Sequence, residues 1–363
     1  MGTAAGLDPL STPLLLTEED VRAVLAEPGA TVSAIDRMEQ AFGEYGRGAF
    51  ESPPRVHVGG GGEQSGRSLR VLPCIAPSAG GAACRVYTMN KEAGPGAPAP
   101  CELILLFDGE SMEIRALIED YSLHGLRTAA PSAVAVRALG RGEVRTIGVV
   151  GSGRQARAQL AAVASVCTPE HVRVFSRDRG RREAFAVEMT EALGRPVVAV
   201  ASAEAALREA DVVLAATNTS SPVISRRWLT PGALVVSIAP GELASDVVLG
   251  SQLVPCAAEE VISGAPRWEP VRTLLERGDL EPDALSVGLA DLVAGTQAIG
   301  RRPQDVTVFL STGMAFWDVV IADWLEQRAR RLGRGTPLWP GGGARTGEGF
   351  VTPRIDVPVA SHR

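Results

Sequence analysis

The residues in this chain that are spaced for chemistry begin with a turn. In TIGVVGSGRQARAQLAAVASV, residues 146–166, an apolar run ends at Gly151, Gly153 and Ala156 follow, and an alanine-rich helical pattern takes over. G-x-G-x-x-A between a strand and a helix suits a dinucleotide's diphosphate. The first glycine allows the tight turn, the second lets the backbone approach, and the small third residue lets helix and strand pack closely. The helix tip adds unpaired N–H groups and the positive end of its dipole. Gly151, Gly153, Arg154, Gln155 and Ala156 are therefore candidate cofactor contacts. The next strand ends in Phe175-Ser176-Arg177-Asp178. A carboxylate at this place receives a ribose 2′-hydroxyl, whereas Ser176 and Arg177 suit a 2′-phosphate by hydrogen bond and charge. The reading favours NADP(H) over NAD(H), with Asp178 as the competing group. Ala216, Thr217 and Asn218 end a later strand on the ligand side of such a sheet, beside the expected nicotinamide half.

These residues need elements to hold them. From a helix over 123–139 onward, strands at 146–150, 171–175, 197–200, 212–215 and 234–238 alternate with helices at 153–166, 179–193 and 203–209. That rhythm predicts right-handed crossovers and a parallel sheet. A helix over 317–333 follows. The earlier part reads differently. Thr17 can cap a first helix, with Asp20 three residues on, and a second helix covers 31–45. Strands at 68–74, 84–90, 103–107 and 114–118 come next, the last two flanking Asp108-Gly109, a hairpin signal. This pattern is mixed and reads as antiparallel. The fold class is α/β, a Rossmann-type doubly wound parallel sheet plus a second α+β domain for substrate and dimerisation. Residues 1–126 and 312–340 are assigned to the substrate-binding and dimerisation domain, 127–311 to the NAD(P)-binding domain, and 341–363 to a poorly ordered tail.

Composition narrows the classes. The balance of 36 basic and 42 acidic groups, −6, gives no electrostatic reason for a nucleic-acid or anionic-membrane partner. No apolar run approaches the roughly 18 residues of a membrane span, and no export signal is evident. Five scattered cysteines without a C-x-x-C pair suit buried, reduced thiols in a cytoplasmic protein. Four histidines lack ligand spacing, so no metal site is expected. Lys91 is the only lysine; every other basic side chain is arginine. Arginine hardly gives up a proton near neutrality. A mechanism needing a titratable amine must therefore use Lys91 or the N-terminus.

Several motifs together resemble the ornithine cyclodeaminase/mu-crystallin family: Arg127-Thr128-Ala129-Ala130 with Ser132-Ala133, then G-S-G-R-Q-A, then Ala216-Thr217, then Ser311-Thr312-Gly313-Met314-Ala315 with Asp318. The resemblance runs from about residue 15 to 335. It implies a nicotinamide cofactor, a substrate with an α-amino or α-imino carboxylate, and a homodimer built through the non-Rossmann domain. By position Arg55 and Arg127 are similar to residues that clamp the substrate carboxylate, which a planar guanidinium can hold bidentately. Thr128, in the same motif, joins the cofactor contacts.

The departures from the family pattern fall in the expected pocket. Arg85 stands where the family usually has a lysine acting as proton donor or substrate binder; an arginine there can bind an anion but is a poor acid. Glu242 lies near the aspartate that cyclodeaminases use. His124 occupies a place where relatives often have Ser or Thr, and histidine titrates near neutrality. His124, Glu242 and Lys91 are the candidates to handle a proton; Arg55, Arg85 and Arg127 are the candidates to anchor an acid. Trp317 and Gly288 also replace commonly acidic residues. What the resemblance implies is an NADPH-dependent reductase of an imine carboxylate, or the reverse amino-acid dehydrogenase. The alternatives are an ornithine- or lysine-type cyclodeaminase and a non-catalytic NADP(H)-binding protein.

Overall fold

The computed structural model describes residues 12–59, 66–90, 101–262, 268–300 and 302–339. The first elements are strand β1 (Leu14–Leu16) and helix α1 (Glu18–Leu25). Thr17 and Asp20 close a capping box, the Thr17 amide donating to the Asp20 carboxylate at 3.1 Å. Helix α2 (Ala30–Gly46) follows, then β2 (Val56–Gly59), β3 (Arg67–Ala76), β4 (Gly81–Asn90), β5 (Glu102–Phe107) and β6 (Ile114–Glu119). With a short β14 (Thr336–Pro337) they form one sheet in the order β14-β1-β6-β5-β4-β3-β2. Strands β2 to β6 are antiparallel to their neighbours, as the sequence pattern suggests, but β1 joins β6 in parallel. The Asp108-Gly109 hairpin carries a longer loop than a two-residue turn. Asp108 itself organises that loop, accepting from the amides of Glu110 and Ser111 at 3.1 and 2.9 Å.

Helix α3 (Leu123–Leu139) leads into the second sheet. Its elements run β7 (Thr146–Val150), α4 (Arg154–Ala164), β8 (His171–Phe175), α5 (Arg179–Leu193), β9 (Val197–Ala199), α6 (Ala203–Leu207), β10 (Val212–Ala215) and β11 (Leu234–Ser237). Then come α7 (Ser245–Leu249), β12 (Ser251–Pro255), α8 (Ala258–Ile262), α9 (Val271–Arg277), α10 (Leu289–Ala294), β13 (Val306–Leu310) and α11 (Phe316–Arg331). The strand order is β12-β13-β11-β10-β7-β8-β9, and every pairing is parallel. The chain works outward from β7 in one direction, then returns to build the other side from β10. In such a sheet ligands bind where that reversal opens a crevice at the carboxyl ends of the strands. β7, β10, β11 and β13 are buried along their whole length, which is why they are mostly apolar rather than alternating.

Strands β12 and β13 are additions to what the pattern predicts. The short helices between them break the strand-helix rhythm, and β13 then inserts between β11 and β12. None of the cysteines forms a disulfide; Cys74 and Cys256 are buried as expected but Cys101 is exposed. No helix among the described residues is long and apolar enough to cross a membrane.

The two sheets share a continuous core through α11, which packs on β3, β4 and β5 of the first sheet and on α2 and α3. Its anchor is aromatic. Phe316 meets Phe42 edge-on at 5.2 Å, stacks on Tyr45 at 5.3 Å and touches Phe50 at 5.5 Å. Phe316 has no exposed surface. Truncating it leaves a large cavity among rings that cannot collapse into the space. The Phe316→Ala variant is expected to lose about 3–5 kcal/mol of stability, read as a lowered denaturant midpoint with an unchanged slope.

Candidate active site

The phosphate turn has the shape its sequence requires. Gly151 lies at φ 121°, and a Cβ there would come within 2.2 Å of the Ala216 carbonyl oxygen. At Gly153 a Cβ would meet nothing within 4 Å. Gly153 caps α4 without a side-chain bond, so the first N–H groups of that helix face open space. Ala156 is fully buried beneath the turn. Thr128 Oγ1 and both polar atoms of the Gln155 side chain are buried with no hydrogen-bond partner. An open helix tip, orphaned polar atoms and a glycine that only backbone can pass fit a dinucleotide's diphosphate. Gln159, which the sequence pattern does not single out, is fully buried and donates to the Thr128 carbonyl at 3.1 Å, tying the N-terminal half of α3 to α4.

At the end of β8, Ser176 Oγ lies 2.9 Å from Ser152 Oγ. Asp178 does not turn inward: its carboxylate caps α5, accepting from the Arg181 amide at 2.8 Å. Arg179 pairs with Glu183, and Arg182 donates to the Ser176 carbonyl at 3.0 Å. Arg177 is exposed and ion-pairs with no carboxylate among the described residues. Asn218, past β10, is likewise exposed.

Between the two sheets lies a cavity of about 170 Å³, with four arginines and no carboxylate among its lining residues. The carboxylates stand behind. Asp318, in the first turn of α11, takes Arg127 bidentately: Nε donates at 2.7 Å and Nη2 at 3.0 Å. Nη1 is then the free edge. Gly313 lies at φ 81°, and a Cβ there would sit 2.8 Å from Arg55 Nη2 and 3.8 Å from Arg127 Nη1. The two guanidiniums thus converge over a residue without a side chain. Arg55 Nη2 also donates to the Thr312 carbonyl at 3.1 Å.

Arg85, on β4, is buried and lines the same cavity. Its Nε donates to Asp120, its Nη2 to Glu102 at 3.2 Å, and Asp318 lies 3.8 Å away. Its plane rests on the Tyr87 ring, 4.2 Å from the centroid. Burial alone would weaken its hold on the proton, but Asp120 and Asp318 outweigh that and raise its pKa. Arg85 is a fixed cation and cannot replace a lysine as an acid.

His124, in the first turn of α3, is the histidine at the cavity wall. Its Nδ1 lies 2.9 Å from Glu102 Oε2. Burial, with Arg85 and Arg127 nearby, pushes its pKa down to about 4. The ring is therefore neutral near pH 7. Donation from Nδ1–H to Glu102 leaves Nε2 as an acceptor. Arg154 departs from its expected place. Its side chain leaves the phosphate turn, stacks on Tyr121 at 4.4 Å and donates to Glu102 at 3.3 Å; His124 Nδ1 lies 3.2 Å away but, with its proton on Glu102, does not accept from it.

Glu242 also differs from the sequence expectation. It is fully buried and does not line the cavity. Its carboxylate accepts five hydrogen bonds: from Thr217 N at 2.7 Å and Oγ1 at 3.0 Å, from Ser237 Oγ at 2.8 Å, and from the Ile238 and Ala239 amides at 3.1 Å. Burial still raises its pKa. Glu242 pins the Ala216–Thr217 loop to the end of β11. Lys91 falls outside the described residues. No metal-ligating cluster occurs among the described residues.

Three residues around the cavity, besides Gln159, escaped sequence reading. Glu102 and Asp120 meet Arg85 only through the register of β4, β5 and β6, although each is an acid bordering an apolar strand. Arg70 reaches the cavity from β3.

The model of the ornithine cyclodeaminase/mu-crystallin family matches residues 16–332. A Δ1-pyrroline-2-carboxylate reductase of Bacillus thuringiensis subsp. konkukian is 28% identical over 276 residues, covering 74% of this chain and 83% of that enzyme. The Thermococcus litoralis Δ1-pyrroline-2-carboxylate reductase, solved with NADH and L-proline, superposes with a TM-score of 0.80 at 27% identity, covering 89% of this chain and 99% of that one. A lysine cyclodeaminase structure gives a TM-score of 0.73 at 26% identity, covering 90% and 94%.

Two outcomes follow from the geometry. Glu242→Gln places an amide N–H₂ among five donors, so it is expected to cost about 1–3 kcal/mol and to weaken reduced-coenzyme binding several-fold, measured by denaturation and fluorescence titration. His124 binds its proton less readily folded than unfolded, so stability is lost as pH falls from about 6.5 toward 4. The unfolding midpoint should drop over that window, by no more than about 3 kcal/mol equivalent. His124→Gln should flatten the drop, and identical profiles for the two proteins would contradict the assignment.

Proposed function

The chain belongs to the ornithine cyclodeaminase/mu-crystallin family, and from that premise we propose that it is an NADPH-dependent reductase of an imine carrying a carboxylate on the imine carbon, or the reverse amino-acid dehydrogenase. The observation that carries the reading is the meeting of Arg55 and Arg127 over Gly313, in a cavity that opens beside Thr128 and Ile238 at the ligand edge of the parallel sheet. Similarity to two Δ1-pyrroline-2-carboxylate reductases supports it.

In this reading residues 127–311 hold the coenzyme, and 1–126 with 312–340 hold the substrate and pair two copies into a homodimer. The α4 tip takes the diphosphate. Ser176 and Arg177 receive the 2′-phosphate, which favours NADP(H), since the one nearby carboxylate is spent on capping α5. Thr217 and Ala216, held by Glu242, border the nicotinamide. A nicotinamide, when bound, supplies or takes up a hydride. Arg127 Nη1 and the Arg55 guanidinium hold the substrate carboxylate and fix the neighbouring carbon in place. Neutral His124 presents Nε2 as acceptor, so an iminium binds already protonated and donates its N–H there. Trp317, Trp268 and Leu72 line the wall and exclude water. Lys91 remains a further candidate for moving a proton. NADPH chemistry and five cysteines without a disulfide suit a reducing cytoplasm.

A cyclodeaminase reading draws on the lysine cyclodeaminase likeness, but Glu242, the nearest counterpart of its acid, is turned away from the cavity and fully engaged.

The test is coenzyme oxidation across cyclic imine carboxylates and paired 2-oxo acids with amines, with mass spectrometry of products. NADPH should exceed NADH at least tenfold in kcat/KM, and Arg177→Ala should narrow that gap by about tenfold, the value of one charge-assisted hydrogen bond. Binding of coenzyme without oxidation across the panel would sink the reductase. Release of ammonia from ornithine or lysine without net coenzyme change would point to cyclodeamination.

A further inference from the structure

The imine carboxylate accounts for two of the four cavity arginines, and Asp120, Glu102 and Asp318 account for Arg85. Arg70 is left over. It lines the cavity, yet it ion-pairs with no carboxylate among the described residues. Its Nη1 donates to Tyr87 Oη at 3.3 Å, its guanidinium lies 5.6 Å from the Tyr87 ring centroid, and its Nε is buried without a partner. Tyr87 Oη also lies 3.5 Å from Arg55 Nη1, so the hydroxyl stands between the two cations. An oxygen that accepts from two guanidiniums keeps its own O–H to donate. Strand pairing sets His57 opposite Arg70. The His57 pKa is lowered by burial and then by Arg70 and Arg55. A cation with one neutral partner and a buried, empty donor is costly unless an anion completes it.

Resting on the reductase reading, we propose that the substrate bears a second carboxylate, remote from the one on the imine carbon, and that Arg70 with the Tyr87 hydroxyl receives it. The substrate class is then an imine dicarboxylate rather than a simple cyclic monocarboxylate. The bond changes are those of the reductase: the iminium carbon gains one hydride from the reduced coenzyme, the C=N π pair passes to nitrogen, and the oxidised coenzyme is released. Arg70 takes no part in them; it sets which imine is held.

Matched pairs test this. Pyruvate with methylamine forms a monocarboxylic imine; pyruvate with glycine or β-alanine, and 2-oxoglutarate with methylamine, form dicarboxylic ones. The best dicarboxylic imine should exceed the monocarboxylic one at least tenfold in kcat/KM. Arg70→Ala should erase at least tenfold of that advantage, chiefly through KM, and Arg70→Lys should keep part of it. Calorimetric titration of the NADP⁺-loaded protein with the corresponding amines, N-(carboxymethyl)alanine against N-methylalanine, should show the same order and the same loss in Arg70→Ala. Equal values in the wild type, or an advantage that Arg70→Ala leaves intact, overturns the proposal. If no imine is reduced while the calorimetric preference and its loss persist, the reductase reading fails and the second-carboxylate site stands.

Discussion

Asp318 sits in the first turn of α11 with no exposed surface, and both its oxygens are taken by Arg127 of α3. α3 opens the path into the parallel sheet, and α11 carries the chain back onto the antiparallel one. One ion pair therefore joins the chain at both crossings between the two sheets. The helix dipole of α11 favours a carboxylate at that position. A buried pair of this kind is weak evidence for stability, because desolvation offsets most of its attraction; breaking it by removing one partner costs about 3–5 kcal/mol. Its larger effect is orientation. With Nε and Nη2 held, the guanidinium has one plane and one free edge, and that edge points to Gly313.

The same logic orders the surrounding charges. Glu102, Asp120 and Asp318 lie on one side of Arg85 and Arg127, away from the cavity, so each carboxylate fixes an arginine without competing for a ligand. Arg154 extends the network to the phosphate helix by sharing Glu102 with His124. A displacement of α4 would therefore be felt at the histidine through direct contacts, without an intermediate element.

Local features of this arrangement were legible in the sequence, and distant pairings were not. Thr17 and Asp20 announce their cap because both partners lie within one turn. The G-S-G-R-Q-A turn is legible because strand, turn and helix are contiguous and the glycine positions have steric causes. The placing of Ser176 beside that turn is legible from its distance along the chain. By contrast, Glu102 reaches Arg85 and Asp120 reaches His124's neighbours only once β4, β5 and β6 have chosen their register, and a shift of one residue would turn each to the opposite face. Glu242 shows the opposite error. Its type and position suggested proton work, but a carboxylate can also organise a loop, and the count of nearby N–H donors, visible only in three dimensions, decides between the two roles.

The use of arginine where lysine would serve has a chemical consequence. Arg85, braced by Asp120, cannot release a proton, and His124 is held neutral by burial and by the cations facing it. Neither Arg85 nor His124 is an acid near neutral pH, so neither protonates the imine nitrogen, and the proposed substrate binds as the iminium. An iminium carboxylate is net neutral and gains little from a cationic cavity as a whole. Its carboxylate is attracted and its nitrogen repelled, and the balance depends on orientation. The wall of arginines thus does not simply concentrate substrate. In the proposed reaction it selects the pose in which the carboxylate faces Arg55 and Arg127 and the nitrogen faces a neutral acceptor, His124 Nε2. A further negative charge on the far limb, toward Arg70, would reinforce that pose, because it opposes rotation that would bring the nitrogen against a guanidinium. Carboxylate recognition, protonation state and orientation then follow from one placement of charge.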